Sequence, residues 1–365
     1  MTISPSIAFT VERLGLLMAP EPGVPHEVEG VLNPAGVTGP DGHYYLFPRC
    51  VGAGNYSRIG LARVRRDDLG KPNGVDRLGI ALEPVEPYEM IRPGVGGCED
   101  PRVTYLACAD LYVMAYTALG PTGPRVALAS SRDLRVWKRH GLVDFAPEHG
   151  VDFNRYVNKD AMLLPGPVIG PDGTLALAFL HRPIYETWHE AEACYGPAPL
   201  PNGVSDNLPS IWISYCALGN LDWLVGGASP GFAQHHLLAR PEFAWEAYRI
   251  GGGTVPVQTS AGWLTVYHGV RLNSDGSRCY QAGLLLLDRD DPRRILARSE
   301  TPLFGPETAE ERVGVVSNVV FPTAIEERAG GLDVYYGMAD SRIGVAHLAP
   351  MPAADQAAEA DEFAA

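Results

Sequence analysis

The feature that most limits what this chain can become is its rhythm of short apolar runs broken by turn residues. HYYLFPRC, RIGLARV, RVTYLACADLYVMAYTAL, RVALASSRD, TLALAFLH, SIWISYCAL, GWLTVYHGV, YQAGLLLLD, NVVFPTAIEE and LDVYYGMAD are rich in β-branched and aromatic residues, and Gly, Pro, Asn or Asp bound them. Such runs specify strands. The 41 glycines and 32 prolines are spread along the chain, as turns between many short strands require. Long amphipathic helical periods are hard to find. The expected class is all-β.

Weak internal repeats refine that expectation. Residues 126–137, VALASSRDLRVW, and residues 211–223, IWISYCALGNLDW, each read as strand, polar turn, then Leu shortly before Trp. RIGLARVRRDD and GLLLLDRDDPRRILAR each join a strand to an acidic turn. Small antiparallel sheets repeating at roughly 65–70 residues over roughly 330 residues suggest a five-bladed β-propeller, although a β-sandwich would carry similar strands. The whole chain, 1–365, reads as one domain, with residues 1–30 as a lead-in and 348–365 as a tail that is either a short helix or a frayed acidic end. Segments 143–158 and 183–209 break the strand pattern, and loops of that length often serve as lids or as contacts between copies of a homo-oligomer.

The net charge of −14 argues against a nucleic-acid partner but leaves room for a small anion in a local basic pocket. Lys71, Lys138 and Lys159 are the only lysines. Cys50, Cys98, Cys108, Cys194, Cys216 and Cys279 form no CxxC pair and match no zinc spacing, so buried free thiols in a reducing compartment are expected. The N-terminus lacks a basic stretch followed by a long apolar one, and no run approaches the about 18 apolar residues of a membrane span. A cytoplasmic location with no membrane partner is the expectation.

Several short motifs carry groups suited to chemistry. Glu99-Asp100-Pro101-Arg102 follows a glycine-rich stretch and precedes VTYLAC. In extended chain its two carboxylates point to opposite faces, one toward a cleft and one toward backbone or Arg102. A carboxylic acid beside a glycosidic oxygen can donate a proton as the bond breaks; a turn salt bridge is the plainer reading. Asn158-Lys159-Asp160 offers an ammonium for an anion, with Asp160 to hold it. His181-Arg182 at a strand end can cradle phosphate. Arg249 opens onto Gly251-Gly252-Gly253, which has no βαβ surroundings and so is not a dinucleotide site. His268 ends another strand, and Tyr280 brings a hydroxyl donor. Asn318 and Asp340 can hydrogen-bond sugar hydroxyls while Phe321 stacks on a pyranose face, and Asn33, Arg49 and Arg58 offer similar polar groups. His235-His236 reads as surface. No GxSxG elbow, HExxH or EF-hand spacing appears, so no metal is expected.

Taken in order, these pieces resemble glycoside hydrolase family 130, the β-mannoside phosphorylases and their hydrolytic relatives. The resemblance rests on NPA at 33–35, FPR with SRIGLA at 57–62, GCEDPRVTYL at 97–106, NKDAMLLP at 158–165, HRP at 181–183, RIGGGTVPVQTSAGWLTVYHGV at 249–270, YQAGLLLLD at 280–288, SNVVFP at 317–322 and YYGMAD at 335–340. It implies a five-bladed propeller with the site at one end of its axis, an inverting mechanism, and Asp100 as general acid, its proton passing through a mannose hydroxyl. It carries mannose contacts over to Asn33, Arg49, Arg58, Asp100 and Asp340. Phosphate contacts fall on Lys159, Arg182, Arg249, His268 and Tyr280. The implied reaction takes a small β-mannoside oligosaccharide and inorganic phosphate to α-mannose 1-phosphate and a shortened acceptor, with no cofactor. An inverting β-mannosidase on the same fold and a non-catalytic sugar-binding propeller are the rivals. The sequence departs from the family at Arg249, where Lys is usual, in a GGGTVP stretch poorer in proline, in Cys98 before Glu99, and in the long 183–209 segment.

Overall fold

The computed structural model describes residues 8–185, 199–226 and 230–351. Cys194, much of the 183–209 segment and the tail from 352 lie outside the described residues. The chain is all-β, with only short 3-10 turns and one four-residue α-helix, Ala309–Arg312, among the described residues. No described helix is long and apolar enough to cross a membrane.

The strands fall into consecutive antiparallel groups. The first comprises Gly30–Thr38, Tyr44–Gly52, Tyr56–Arg66 and Pro72–Leu82, and the second Val95–Leu106, Leu111–Gly120, Gly123–Ser131 and Lys138–Leu142. A single parallel pair, Ser57 with Gly97, joins these two into one nine-stranded sheet that also takes in the short strand Met90–Arg92. The third group is built on Val157–Leu163, Leu175–Ile184, Ile211–Ala217 and Gly231–Ala239, and the fourth on Arg249–Gly251, Trp263–Leu272, Arg278–Leu287 and Ile295–Arg298. The last sheet takes Val320–Arg328, Gly331–Met338 and Arg342–Pro350 from the end of the chain and adds Phe9–Met18 from its beginning. The expected lead-in over 1–30 thus contains a strand. Gly15 and two register shifts interrupt its alternation, which hides it from pattern reading.

Both faces of these groups are covered. Gly123–Ser131 is buried at every position, and Leu111–Gly120 at all but one, which is why such strands read as continuous apolar runs rather than alternating ones. The buried side chains form clusters shared by successive groups. Phe47 and Ile59 meet Val103 and Met114 between the first and second groups; Val113 and Leu128 meet Leu163 and Phe179 between the second and third. Ile213 meets Leu285, Leu284 meets Val334, and Val345 meets Leu46, so the last group packs back on the first.

A buried carboxylate recurs in three groups. Glu89 accepts from the backbone of Val85 and Glu86, from Tyr116 Oη at 2.7 Å and from Arg139 Nε at 2.8 Å. Glu246 does the same with Glu242, Phe243, Tyr267 Oη at 2.7 Å and Arg298 Nη2 at 2.6 Å. Glu311 does so with Glu307, Thr308, Tyr336 Oη at 2.9 Å and Arg13 Nε at 2.9 Å. Each Tyr lies on the second strand of its group and each Arg on the outermost. All three carboxylates are fully buried and all their oxygens are used, so they bind the outer strand to the inner ones.

Other expectations shift. Segment 143–158 holds a two-residue strand, Asp144–Phe145, parallel to Gly231–Phe232, and a 3-10 turn over Phe153–Arg155. Cys50, Cys98, Cys216 and Cys279 are buried free thiols, but Cys108 lies exposed in a turn. His236 is exposed, whereas His235 turns inward to Ser214 Oγ at 2.8 Å and the Ala146 carbonyl at 2.8 Å, because a left-handed Gln234 (φ 56°) redirects the strand.

Glu246→Ala would strand the Arg298 guanidinium and the Tyr267 hydroxyl in the core. A loss of about 3–5 kcal/mol is expected, read as a lowered midpoint in urea denaturation.

Candidate active site

Three inner strands share one irregularity. Asn33-Pro34 lies opposite Pro48 alone, Asp100-Pro101 opposite Tyr116 alone, and Asp160-Ala161 opposite His181 alone. Two residues against one make a β-bulge, which breaks the alternation of side chains and re-aims the residue it carries. The first residue of each bulge is left-handed, with φ of 43° at Asn33, 43° at Asp100 and 54° at Asp160. Asn and Asp are the non-glycine types that accept this region most readily, at a cost of about 1–2 kcal/mol. All three line one cavity, together with Arg49, Lys159, Arg182, Ile184, Arg249, His268, Tyr280, Phe321 and Asp340.

The bulge overturns the expectation that Glu99 and Asp100 point to opposite faces. Arg49 bonds both: Nη2 donates to Glu99 Oε1 at 2.7 Å and Nη1 to Asp100 Oδ1 at 3.3 Å. Arg49 is itself braced by Ser57 Oγ at 2.9 Å. Asn33 Nδ2 donates to the same Asp100 oxygen at 2.9 Å. Asn33 fits there because Gly337 faces it; a Cβ at 337 would collide with Asn33 Oδ1. Arg102 holds the bulge from behind, donating to the carbonyls of Asp100 and Pro101 at 3.0 Å each and to that of Gly253.

Charged groups of both signs line the cavity. Burial alone would raise Asp100, but Arg49, Lys159 and Asn33 more than offset it and hold its carboxyl below the ordinary range. Asp340 has no hydrogen bond or ion pair to a described residue. Burial first, and then the charge of Asp100, push it up to about 6. Lys159, Arg182, Arg249 and His268 also line the cavity. The Lys159 ammonium has no hydrogen bond or ion pair to a described residue. Arg182 Nη1 and Arg249 Nε are buried with no partner among the described residues. Arg249 Nη2 donates to the Tyr280 hydroxyl. Burial, together with the neighbouring guanidinium groups, keeps His268 neutral by lowering it to about 3. Its Nδ1 lies 3.0 Å from the Gly252 carbonyl, which can only accept. The proton is therefore on Nδ1, and Nε2 is left as an acceptor. Phe321 packs on the His268 ring at 4.4 Å between centroids.

Two predicted site residues stand apart. Arg58 turns to Glu83, Nε to Oε2 at 2.7 Å, and lies over the Tyr56 ring, outside the cavity lining. Asn318 (φ 60°) supplies its carbonyl to Tyr280 N at 3.0 Å, so it supports the cavity wall without lining it. Asp160 does not hold Lys159. Its Oδ2 accepts from Arg182 Nε at 2.5 Å and lies 3.7 Å from His268 Nε2. Its role was missed because the strand pairing that brings 160 and 182 together leaves no local mark. Arg182 lies inside Leu175–Ile184 and Asp100 inside Val95–Leu106, whereas Arg249 opens Arg249–Gly251 and Asp340 lies in the turn after Gly331–Met338. No cluster of three or more His, Cys, Asp or Glu suited to a metal occurs among the described residues.

A family model described as β-1,4-mannooligosaccharide phosphorylase matches residues 27–189 and 210–351. A 1,2-β-oligomannan phosphorylase of Thermoanaerobacter sp. strain X514 is 28% identical over 84% of this chain and 86% of its own length. A β-1,2-mannobiose phosphorylase of the same organism is 32% identical over 68% of this chain and 66% of its own. The solved β-1,2-mannobiose phosphorylase of Listeria innocua, in complex with β-1,2-mannobiose, superposes with a TM-score of 0.65 at 24% identity, covering 91% of this chain and 94% of its own. A second solved chain, from work describing glycoside hydrolases within the GH130 family that target β-1,2 mannosidic linkages in Candida mannan, superposes at 0.69 with 23% identity, covering 96% and 99%.

The raised Asp340 has a measurable consequence. The folded chain binds this proton more tightly than the unfolded one, so stability falls as pH rises from about 4 to about 6 and the full penalty applies above that. Asp340→Asn is expected to stabilise the fold at pH 8 by on the order of 2 kcal/mol, a gain that fades by pH 4 in parallel thermal melts.

Proposed function

This chain belongs to glycoside hydrolase family 130, and on that premise we propose that it is an inverting β-mannoside phosphorylase built as a five-bladed propeller. The bladed reading is supported by the consecutive antiparallel groups, by core clusters that run from each group to the next and back to the first, and by the recurring Glu–Tyr–Arg arrangement. Inorganic phosphate is the co-substrate and a small β-mannoside oligosaccharide the other partner; the reaction needs no further cofactor.

One observation carries the choice of phosphate over water. The cavity that holds Asp100 also holds Arg182 Nη1 and Arg249 Nε, buried donors with no partner among the described residues, and the Lys159 ammonium beside them. Buried donors left open suit an anion that arrives with the substrate. His268 Nε2 is an acceptor and suits the P–OH of a partly protonated phosphate. An inverting hydrolase would instead need a second carboxylate to activate water. Asp340 adjoins Asp100, whose charge helps to raise it, so it is placed with the acid rather than across the sugar from it. Asp160 is the other carboxylate, but its bond to Arg182 outweighs burial and holds it well below the range of a useful base.

In the proposed reaction a phosphate oxygen forms a bond to C1 of the mannose as the C1–O bond to the acceptor breaks on the opposite face. The leaving oxygen takes a proton that originates on Asp100 and passes through a mannose hydroxyl. The products are α-mannose 1-phosphate and the shortened acceptor. Before substrate binds, Asp100 is held ionised. Phosphate entering beside Lys159 cancels part of the positive charge that holds Asp100 down, and the sugar adds desolvation, so Asp100 takes up a proton from solvent as the substrates bind. Asn33 and Arg49 fix Asp100, and Asp340 faces the sugar from the same side.

The test is incubation with a panel of β-mannosides, with and without phosphate, assaying mannose 1-phosphate. Phosphate-dependent formation of that product is expected. Free mannose released at full rate without phosphate would indicate the hydrolase, and no turnover in either buffer a binding protein. Asp100→Asn is expected to lose about 10²–10⁴-fold in turnover; near-normal turnover would remove the assignment of the acid.

A further inference from the structure

We infer that Asp160 is a positioning residue that sets the Arg182 guanidinium so that its Nη edge serves the incoming anion. The inference rests on the phosphorolytic reading above and concerns how the anion seat is held in shape.

Asp160 occupies the third of the three bulges, the place equivalent to Asn33 and Asp100, and pays for it with a left-handed backbone. It is 1% exposed, and an ionised carboxylate at that depth requires a specific partner. The partner is Arg182, bonded through Nε alone at 2.5 Å. An arginine that bonds a carboxylate through its two-pronged fork spends two donors on it. Here a single donor is used, and Nη1 remains buried with no partner among the described residues. The register explains the meeting: Lys159 lies opposite Arg182 across the strand pair, and the bulge directly after Lys159 turns Asp160 onto the same side.

The third wall is Gly251. A Cβ there would run into Asp160 Oδ2 and His268 Cε1 and would come within 2.7 Å of Arg182 Nε. The backbone therefore closes on the Asp160–Arg182 bond itself, leaving the guanidinium little freedom to rotate. An anionic side chain beside an anion seat works against binding through its charge. Its benefit must come from geometry, because a fork fixed in advance loses less freedom when the anion docks. The two roles have opposite signs. Removing the charge alone should tighten phosphate binding, while removing the brace should loosen it.

The experiment is steady-state kinetics of wild type and Asp160→Ala, which removes the acceptor of the Arg182 Nε bond, with the phosphate and the mannoside varied separately. The expected result is a rise of about tenfold or more in KM for phosphate, with KM for the mannoside within twofold of wild type. Gly251→Ala leaves every charged group in place and wedges the same pair from the other side; it should give the same split, and it serves if Asp160→Ala does not fold. An unchanged or lowered KM for phosphate overturns the inference. So does a parallel rise in both KM values, which would mean general loosening of the site. If wild type itself turns over without phosphate, the phosphorolytic reading fails first and this inference falls with it.

Discussion

A strand that sets two residues against one of its neighbour's cannot keep its side chains alternating, and the site depends on that constraint. At Asn33, Asp100 and Asp160 the extra residue takes a left-handed turn and leaves the plane of its sheet. Three separate strands thereby deliver polar groups to one cavity, while their remaining residues stay available to the core. Local strain is concentrated where chemistry is needed, and the surroundings hold it there. Arg102 fastens the carbonyls of the second bulge, Asn33 and Arg49 fasten its carboxylate, and Arg182 fastens the third.

The fold class was legible because burial on both faces turns strands into continuous apolar runs, and Gly and Pro mark where each run stops. Most of the candidate cavity was legible too, through motifs whose order resembles one family. What stayed hidden depends on pairing between distant residues. Glu89, Glu246 and Glu311 occupy equivalent places, yet their Tyr and Arg partners lie on other strands at unequal spacings, so no sequence period reports them. Arg58 sits in a strand motif that suggested a sugar contact, but Glu83 reaches it across the adjoining strand. Asp160 was read beside its sequence neighbour Lys159, while its partner is twenty-two positions away. The strand Phe9–Met18 was taken for a lead-in because its partner, Arg342–Pro350, is at the other end of the chain.

The cations inside the cavity also explain how a chain of net charge −14 can welcome an anion. The field at the site is set mainly by the nearest groups, among them Lys159, Arg182 and Arg249. Some acidic residues are engaged elsewhere: Glu89, Glu246 and Glu311 have arginine partners of their own. Overall charge and local potential are separate quantities, and the second decides what binds.

The pairing of Phe9–Met18 with Arg342–Pro350 bears on how the molecule is made. Phe9–Met18 is made long before its neighbour. Until Arg342–Pro350 has been made, the early strand is an edge without a mate, and Phe9, which packs in a cluster with Val334 and Leu348, has no surface to lie against. Joining the two strands also closes a loop of several hundred residues, on the order of most of the chain. The last group therefore closes late, and until it does its early strand is the part most in need of a chaperone.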